Sequence, residues 1–295
     1  MGFRFFGVNV EGNTHCSDAA WTMSMDAATQ ATLVRALSAG IASRSLQAPR
    51  DTTSQSPQVT QLWAFDHNTD VPAYPAAVLA AAGDDVGAVA WHCYAADDTG
   101  WGVLSDFHEA HAGVSQVMSE CWTHLKDSTF FDLADFVHGP MQNWAEGAVA
   151  WTLGGSARYD VSYPGGCGEC SGLVQVDNSS GAYELTRDFY TLGQFSRFVR
   201  KGAVVLNGSS ISSSSSNAVP LVSPALLQTS HYINPGGSRI VVLSHKSPVA
   251  SLAQIDFASG DSWWGTLPAR SVVTWVLPPA ARVAAGAGAA AASGS

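Results

Sequence analysis

Four short apolar runs, each ending in a polar or aromatic cluster, constrain this chain more than any other feature. Gln61-Leu-Trp-Ala-Phe65 ends in Asp66-His67-Asn68, and Val86 to Trp91 ends in His92-Cys93-Tyr94. Gln116 to Met118 ends in Ser119-Glu120-Cys121, and Gly147 to Leu153 ends near Trp151. Helical stretches lie between them: Pro75 to Ala82, and Phe130 to Glu146 with Pro140 as an expected kink. A further helix is predicted over 24–46, with Ser24 as its cap, Asp26 in its first turn, and Leu33, Leu37 and Ile41 at helical spacing. Short apolar strands alternating with helices imply a parallel sheet. Polar residues gathered at strand ends match the catalytic rim of an α/β barrel. An open doubly wound sheet is the alternative, but no glycine-rich phosphate loop supports it.

The last third has a different texture. Ala203-Val-Val-Leu206, Ser238 to Leu243, Ala253 to Phe257 and Ser271 to Val276 are short β-type runs separated by turn residues, which implies an antiparallel β-domain. Ser209 to Ser216 is nearly all serine and reads as a mobile loop. The predicted organisation is barrel sequence over 1–200, a β-sandwich-type domain over 201–279, and a disordered Ala/Gly/Ser tail over 280–295.

Composition narrows the function. The 295 residues carry a formal net charge of −10 and are only 13% charged, so the chain lacks the basic surface that nucleic acid or an anionic membrane requires. No run reaches the roughly 18 apolar residues of a membrane span. Met1 to His15 has no continuous apolar core and does not read as a secretory signal. Ten tryptophans serve either a core or sugar stacking. Five cysteines are present; Cys167 and Cys170 form a lone C-x-x-C, either a local disulfide or two free thiols rather than a zinc site. Asn178 and Asn207 head glycosylation triplets that matter only in a secreted chain. His92, Cys93, His108 and His111 match no standard zinc spacing. No cofactor or metal is expected.

Retaining glycoside hydrolysis requires two carboxyl groups about 5 to 5.5 Å apart, one as nucleophile and one as acid/base. Glu120, at a strand end beside Trp122, suits one role, though a single glutamate in that place assigns nothing by itself. An ordered set of motifs goes further: Trp63-Ala-Phe-Asp66-His-Asn68, Ala90-Trp-His-Cys-Tyr94, Phe107-His108, Ser119-Glu120-Cys121-Trp122, Asn143-Trp144, Trp151, Gly166-Cys-Gly-Glu-Cys170 and Phe189-Tyr190. From about residue 8 to 278 the chain resembles glycoside hydrolase family 30, which includes fungal β-1,6-glucanases and glucosylceramidases.

The resemblance implies a (β/α)8 barrel with a side β-sandwich, double displacement with retention, a polysaccharide or glycoside substrate, and an extracellular setting. It implies Glu120 as nucleophile, with Ser119 where the family has threonine. It also implies that His92, Tyr94, Trp91, Trp122, Trp151, Asp66, His67 and Asn68 face substrate or orient the catalytic pair. Packed strand-end or loop hydrogen-bonding roles are the alternative for His92 and for Asp66, His67 and Asn68. The family's acid/base lies a short way before a segment similar to Ala20-Trp-Thr-Met23, which marks Glu11, although Val10 and Gly12 replace the usual Asn and Pro. Glu11 as an ordinary surface carboxylate is the alternative.

If Glu11 ends the fourth barrel strand, the first three are missing. The chain then reads as a partial (β/α)8 barrel built of its later strands, truncated or remnant, and of little activity alone. At the eighth strand, Thr152 and Gly154-Gly155 stand where the family usually has Asn and an Asp-containing loop. The implied function is endo-β-1,6-glucan hydrolysis. Glucosylceramide hydrolysis and non-catalytic glucan binding are the rivals.

Overall fold

The computed structural model describes residues 8–9, 23–45, 61–121, 129–157, 172–206, 223–257 and 260–280. Two compact units divide the chain, Met1–Gly193 and Gln194–Ser295.

In the first unit, β1 (Val8–Asn9) pairs in parallel with β2 (Met23–Ser24). Helix α1 spans Ala27–Ser45. Asp26 rather than Ser24 caps it: the Asp26 carboxylate accepts the Thr29 N–H at 2.7 Å, satisfying one of the free N–H groups of the first turn. That hydrogen bond holds the Asp26 carboxyl below its ordinary value. The helix buries Gln30, Ala31 and Val34, while Leu33, Leu37 and Ile41 are half-buried.

Four strands then follow in sequential order and pair in parallel: β3 (Trp63–Asn68), β4 (Ala88–His92), β5 (Ser115–Glu120) and β6 (Ala145–Ala148). Helix α2 (Ala73–Ala82) joins β3 to β4. Helices α3 (Ala96–Thr99) and α4 (Gly102–Ala110) join β4 to β5, and α5 (Phe130–Gln142) joins β5 to β6. The α/β reading with a parallel sheet therefore holds, and α4 was not foreseen. Strand order and direction are those of a barrel wall; closure is not among the described pairings.

Several boundaries differ from the sequence expectation: β6 stops at Ala148 rather than near Trp151. Strand β3 does not stop at Phe65 but runs through Asp66, His67 and Asn68, so that polar cluster is strand, not loop. Helix α5 opens with a Thr129–Asp132 capping box and stops at Gln142, before Glu146. Pro140 has no N–H to continue the ladder, and Asn143 closes the end by donating its side-chain amide to the Gly139 carbonyl at 2.8 Å. Trp144 then turns the chain at φ 68°. Gly139 itself lies under Trp101: a Cβ there would sit 2.2 Å from the indole nitrogen.

A sheet of β7 (Gly154–Ser156), β8 (Val174–Val176) and β9 (Tyr183–Leu185) follows, with β7 parallel and β9 antiparallel to β8. Helix α6 (Arg187–Ser196) carries the chain into the second unit.

The second unit is antiparallel β, as its sequence implied. One sheet has the order β10 (Val204–Val205), β11 (Leu227–Ile233), β12 (Arg239–His245), β15 (Ser271–Leu277). A separate hairpin joins β13 (Ser251–Asp256) to β14 (Ser262–Leu267). Strands β11 and β14 were not anticipated. Strict alternation along β13 turns Ala253 and Ile255 inward, where they meet Val241 and Leu243 of β12, Leu267 of β14 and Leu277 of β15. Gly265 lets Trp275 approach, since a Cβ there would sit 3.2 Å from that ring. Arg239 is buried beneath this core, forked onto Asp261 at 2.9 and 2.5 Å and stacked 4.3 Å from the Phe257 ring.

Expectations for Ser209 to Ser216, the Cys167-Cys170 loop and residues 281–295 of the tail fall outside the described residues.

Candidate functional site

The site gathers at the C-terminal ends of β3, β4 and β5. Register places His92 beside both Asn68 and Glu120. These ends are held by a disulfide that sequence reasoning missed: Cys93, directly after β4, joins Cys121, directly after β5. The two cysteines lie 28 residues apart and looked unrelated. Only the pairing of parallel strands makes them neighbours; the equivalent positions just past each strand are the signal that could have found them.

Glu120 presents its carboxylate at this rim with 26% of the side chain exposed. Tyr94 donates its hydroxyl to Glu120 Oε1 at 2.7 Å. His92 Nε2 lies 3.8 Å from Glu120 Oε2 and 3.0 Å from Asp66 Oδ1. The Ser119 hydroxyl donates to Asp66 Oδ1 at 2.7 Å, with the Trp91 carbonyl oxygen a second acceptor at 3.1 Å. Burial alone would raise the Asp66 carboxyl; the hydrogen bond and charge of His92, the Ser119 hydroxyl and the charge of His67 outweigh it and hold the group below its ordinary value. His67 is pushed below the usual imidazole range by burial first and by the charge of His92 second, against the opposing pull of Asp70 and Asp66.

The β3 backbone is irregular at this point. Phe65 and Asp66 sit at φ 79° and 61°, and the pairing with β4 shifts register between Phe65 and His67. The Phe65 N–H is taken by Gln30 Oε1 of α1 at 3.1 Å. Below the rim, Phe65, Trp91 and Phe107 stack edge to face, 5.2 Å between successive rings.

Trp91 corrects a sequence expectation. Its ring is fully buried and its indole N–H donates to Gln116 Oε1 at 3.0 Å, so it builds the core and offers no face to a sugar. Asn68 and His67 are also buried, and the Asn68 amide has no hydrogen-bond partner among the described residues. Trp151 is 40% exposed, and its backbone N–H donates to the Cys121 carbonyl at 2.6 Å, which sets it beside Glu120 on the same rim. His108 stacks on Trp144 at 3.9 Å and His111 packs on Phe107, so neither turns toward His92. Glu11, Trp122 and the Cys167-Cys170 pair lie outside the described residues, and with Glu11 lies the separation of the two expected carboxyl groups. Among the described residues no group of three His, Cys, Asp or Glu side chains could hold a metal, and no helix is long and apolar enough to cross a membrane.

No protein-family model matches the chain. It is 45% identical over 224 residues to an endo-1,6-β-D-glucanase of Neurospora crassa, a match covering 75% of this chain and 45% of that enzyme. A second, of Aspergillus fumigatus, is 44% identical over 222 residues, covering 75% of this chain and 43% of its own. The chain thus spans less than half the length of the curated relatives it matches. Among solved structures, an endo-β1,6-glucanase superposes with TM-score 0.71 at 19% identity, over 88% of this chain and 56% of that one. A family 30 endoxylanase from Clostridium papyrosolvens superposes with TM-score 0.57 at 15% identity, over 92% and 65%. Sequence and fold agree, and the chain is a relative of the fungal endo-1,6-β-glucanases whose resemblance to glycoside hydrolase family 30 extends to its fold.

Proposed function

We propose that this chain is the nucleophile-bearing part of a retaining β-glucan hydrolase, an endo-β-1,6-glucanase, with Glu120 as the nucleophile and Glu11 as the acid/base. The observation that carries the reading is the seat of Glu120, a partly exposed carboxylate at a parallel strand end with Tyr94 on Oε1 and His92 facing Oε2. That seat suits double displacement. Tyr94 occupies Oε1, which leaves Oε2 to attack the anomeric carbon while the acid protonates the departing glycosidic oxygen. The Tyr94 bond then remains on the ester carbonyl. Water, deprotonated by the same acid/base, attacks the anomeric carbon and returns the charge to Oε2.

Trp151 supplies an exposed indole for stacking on a pyranose, and Trp122, which follows Cys121 in the sequence, is the second candidate for that role. His92 and Tyr94 line the subsite of the reacting sugar. In this reading residues 1–200 contribute the catalytic wall and 201–279 an antiparallel β-domain. The β-1,6 linkage is supported by the activity named for the fungal relatives. An extracellular setting is supported by the Cys93–Cys121 disulfide, a bond typical of oxidising compartments.

The test is product analysis. Incubation of β-1,6-glucan with the chain joined to the remaining length of a fungal relative should release reducing oligosaccharides, and proton NMR should show the β-anomer first, while the chain alone should show little activity. The α-anomer first would overturn retention, and cleavage of β-1,3-glucan alone would overturn the linkage.

A further inference from the structure

The β3 bulge is costly and well supported, which asks what it achieves. Two successive non-glycine residues, Phe65 and Asp66, are held at positive φ, a backbone conformation that side chains disfavour. Phe65 is nonetheless fixed there by Gln30 on its N–H and by Trp91 and Tyr74 around its ring. A bulge re-aims side chains, because one extra residue reverses the alternation beyond it. The side chain at the bulge is Asp66, and its carboxylate accepts from both Ser119 and His92.

We propose that Asp66 is a positioning residue for the nucleophile: seated on the bulge, it holds the His92 ring, with Ser119 as its brace, so that Nε2 stands against the Oε2 side of Glu120. The inference rests on reading Glu120 as the nucleophile. An ionised carboxylate has no hydrogen to give, so the 3.0 Å contact requires His92 Nε2 to carry the proton. Asp66 therefore selects the tautomer as well as the orientation. At 3.8 Å from Oε2, the Nε2–H is too far for a hydrogen bond and acts as an oriented positive pole. Its effect is greatest when negative charge returns to Oε2 as the glycosyl-enzyme ester breaks. The titratable groups facing His92 are Asp66 and His67 from β3, Tyr94 after β4 and Glu120 from β5. Asp66 is the one in hydrogen-bond contact with the ring.

The experiment uses the whole chain labelled with 15N-histidine, as wild type, Asp66→Asn, Ser119→Ala and Ser119→Thr. Long-range proton–nitrogen NMR spectra are recorded across pH 5 to 8, with His92 assigned through His92→Gln. The wild type should show Nε2 protonated in the neutral ring. Asp66→Asn should shift both His92 nitrogen signals and change the tautomer they report. Ser119→Ala should do the same to a smaller extent, and Ser119→Thr, which keeps the hydroxyl, should restore the wild-type spectrum. The serine pair keeps the test decisive if Asp66→Asn does not fold.

In glucan assays Asp66→Asn should lower kcat about 10- to 100-fold with KM within about threefold, the scale of losing a group that orients a catalytic ligand. His92 nitrogen signals unchanged in Asp66→Asn would overturn the proposal, as would a rise in KM with kcat intact. A wild type that leaves glucan uncut even when joined to the remaining length of a fungal relative would overturn the functional reading instead, and the NMR comparison would still decide the placement of Asp66.

Discussion

The two units bury histidines to opposite ends. In the first, His92 sits at a strand end between two carboxylates, Asp66 at 3.0 Å and Glu120 at 3.8 Å. In the second, His231 of β11 is buried with Thr229 at 3.1 Å and the Phe257 ring at 6.2 Å, and burial pushes its imidazole down to about 4. His245 of β12 gives one ring nitrogen to the Pro268 carbonyl at 2.7 Å. The residue type is the same; the partners differ. Carboxylates at the ends of parallel strands make a place where proton and charge can be managed. Backbone and aromatic partners inside an antiparallel core make a neutral packing element. A buried histidine signals chemistry only through what faces it.

The largest expected effect lies at the rim. Glu120→Gln removes the attacking oxygen's charge and should cut β-1,6-glucan turnover by at least about a thousandfold while leaving the melting temperature close to wild type. Turnover near wild type would break the contrast, because the first unit's cluster would then be structural too.

Next comes the buried cation of the second unit. Arg239→Ala removes the fork from Asp261, which keeps the Trp263 indole N–H and is 35% exposed, and takes the donor from the Pro278 carbonyl and the cation from the Phe257 ring; it should cost about 2 to 4 kcal/mol in denaturant unfolding. An unchanged midpoint would show that the fork contributes nothing to that fold.

Removal of the Cys93–Cys121 bond, by replacing both with serine, should cost about 3 to 4 kcal/mol from the loop it closes. It should also lower glucan turnover, because Tyr94 and Glu120 flank the two cysteines. Lost stability with intact turnover would mean that the bond braces the sheet without setting the site.

The smallest effect is the pH response of His231. Its folded value of about 4 lies below the unfolded value near 6.5, so the unfolded state binds the proton first. Its contribution is fully present above about pH 6.5 and is lost as pH falls from 6.5 toward 4, on the order of 3 kcal/mol in all. His231→Gln should flatten that part of the stability curve, measured by urea unfolding at each pH. A mutant with the wild-type slope would assign the acid sensitivity to other groups. Asp66, held low in the folded state, works in a separate window: its contribution is present above about pH 4 and is lost below it.

The sequence by itself determined the repeating pattern and the change of texture. Alternating strands and helices from residue 61 to Ala148 and short β-type runs after residue 202 are local facts of hydrophobic spacing, and both units carry them. It also made the polar ends of those runs visible in one dimension, and the resemblance to family 30 singled out Glu120, His92, Tyr94 and Asp66 among them. It misjudged Trp91, since a strand-end aromatic reads alike whether its ring faces sugar or core, and only packing against Phe65, Phe107 and Gln116 distinguishes the two. It misplaced the cap of α1 and the end of α5 because single hydrogen bonds, from Asp26 and Asn143, set those boundaries.

The tertiary structure decided what depends on neighbours far apart in sequence. Cys93 meets Cys121 only because β4 lies beside β5. Asp66 meets Ser119 across 53 residues only because a bulge in β3 re-aims one side chain. The physical reason is common to both. A strand's pleat is written in its own residues, but the register and bulges that bring strand ends together are set by backbone pairing, which depends on every strand in the sheet at once.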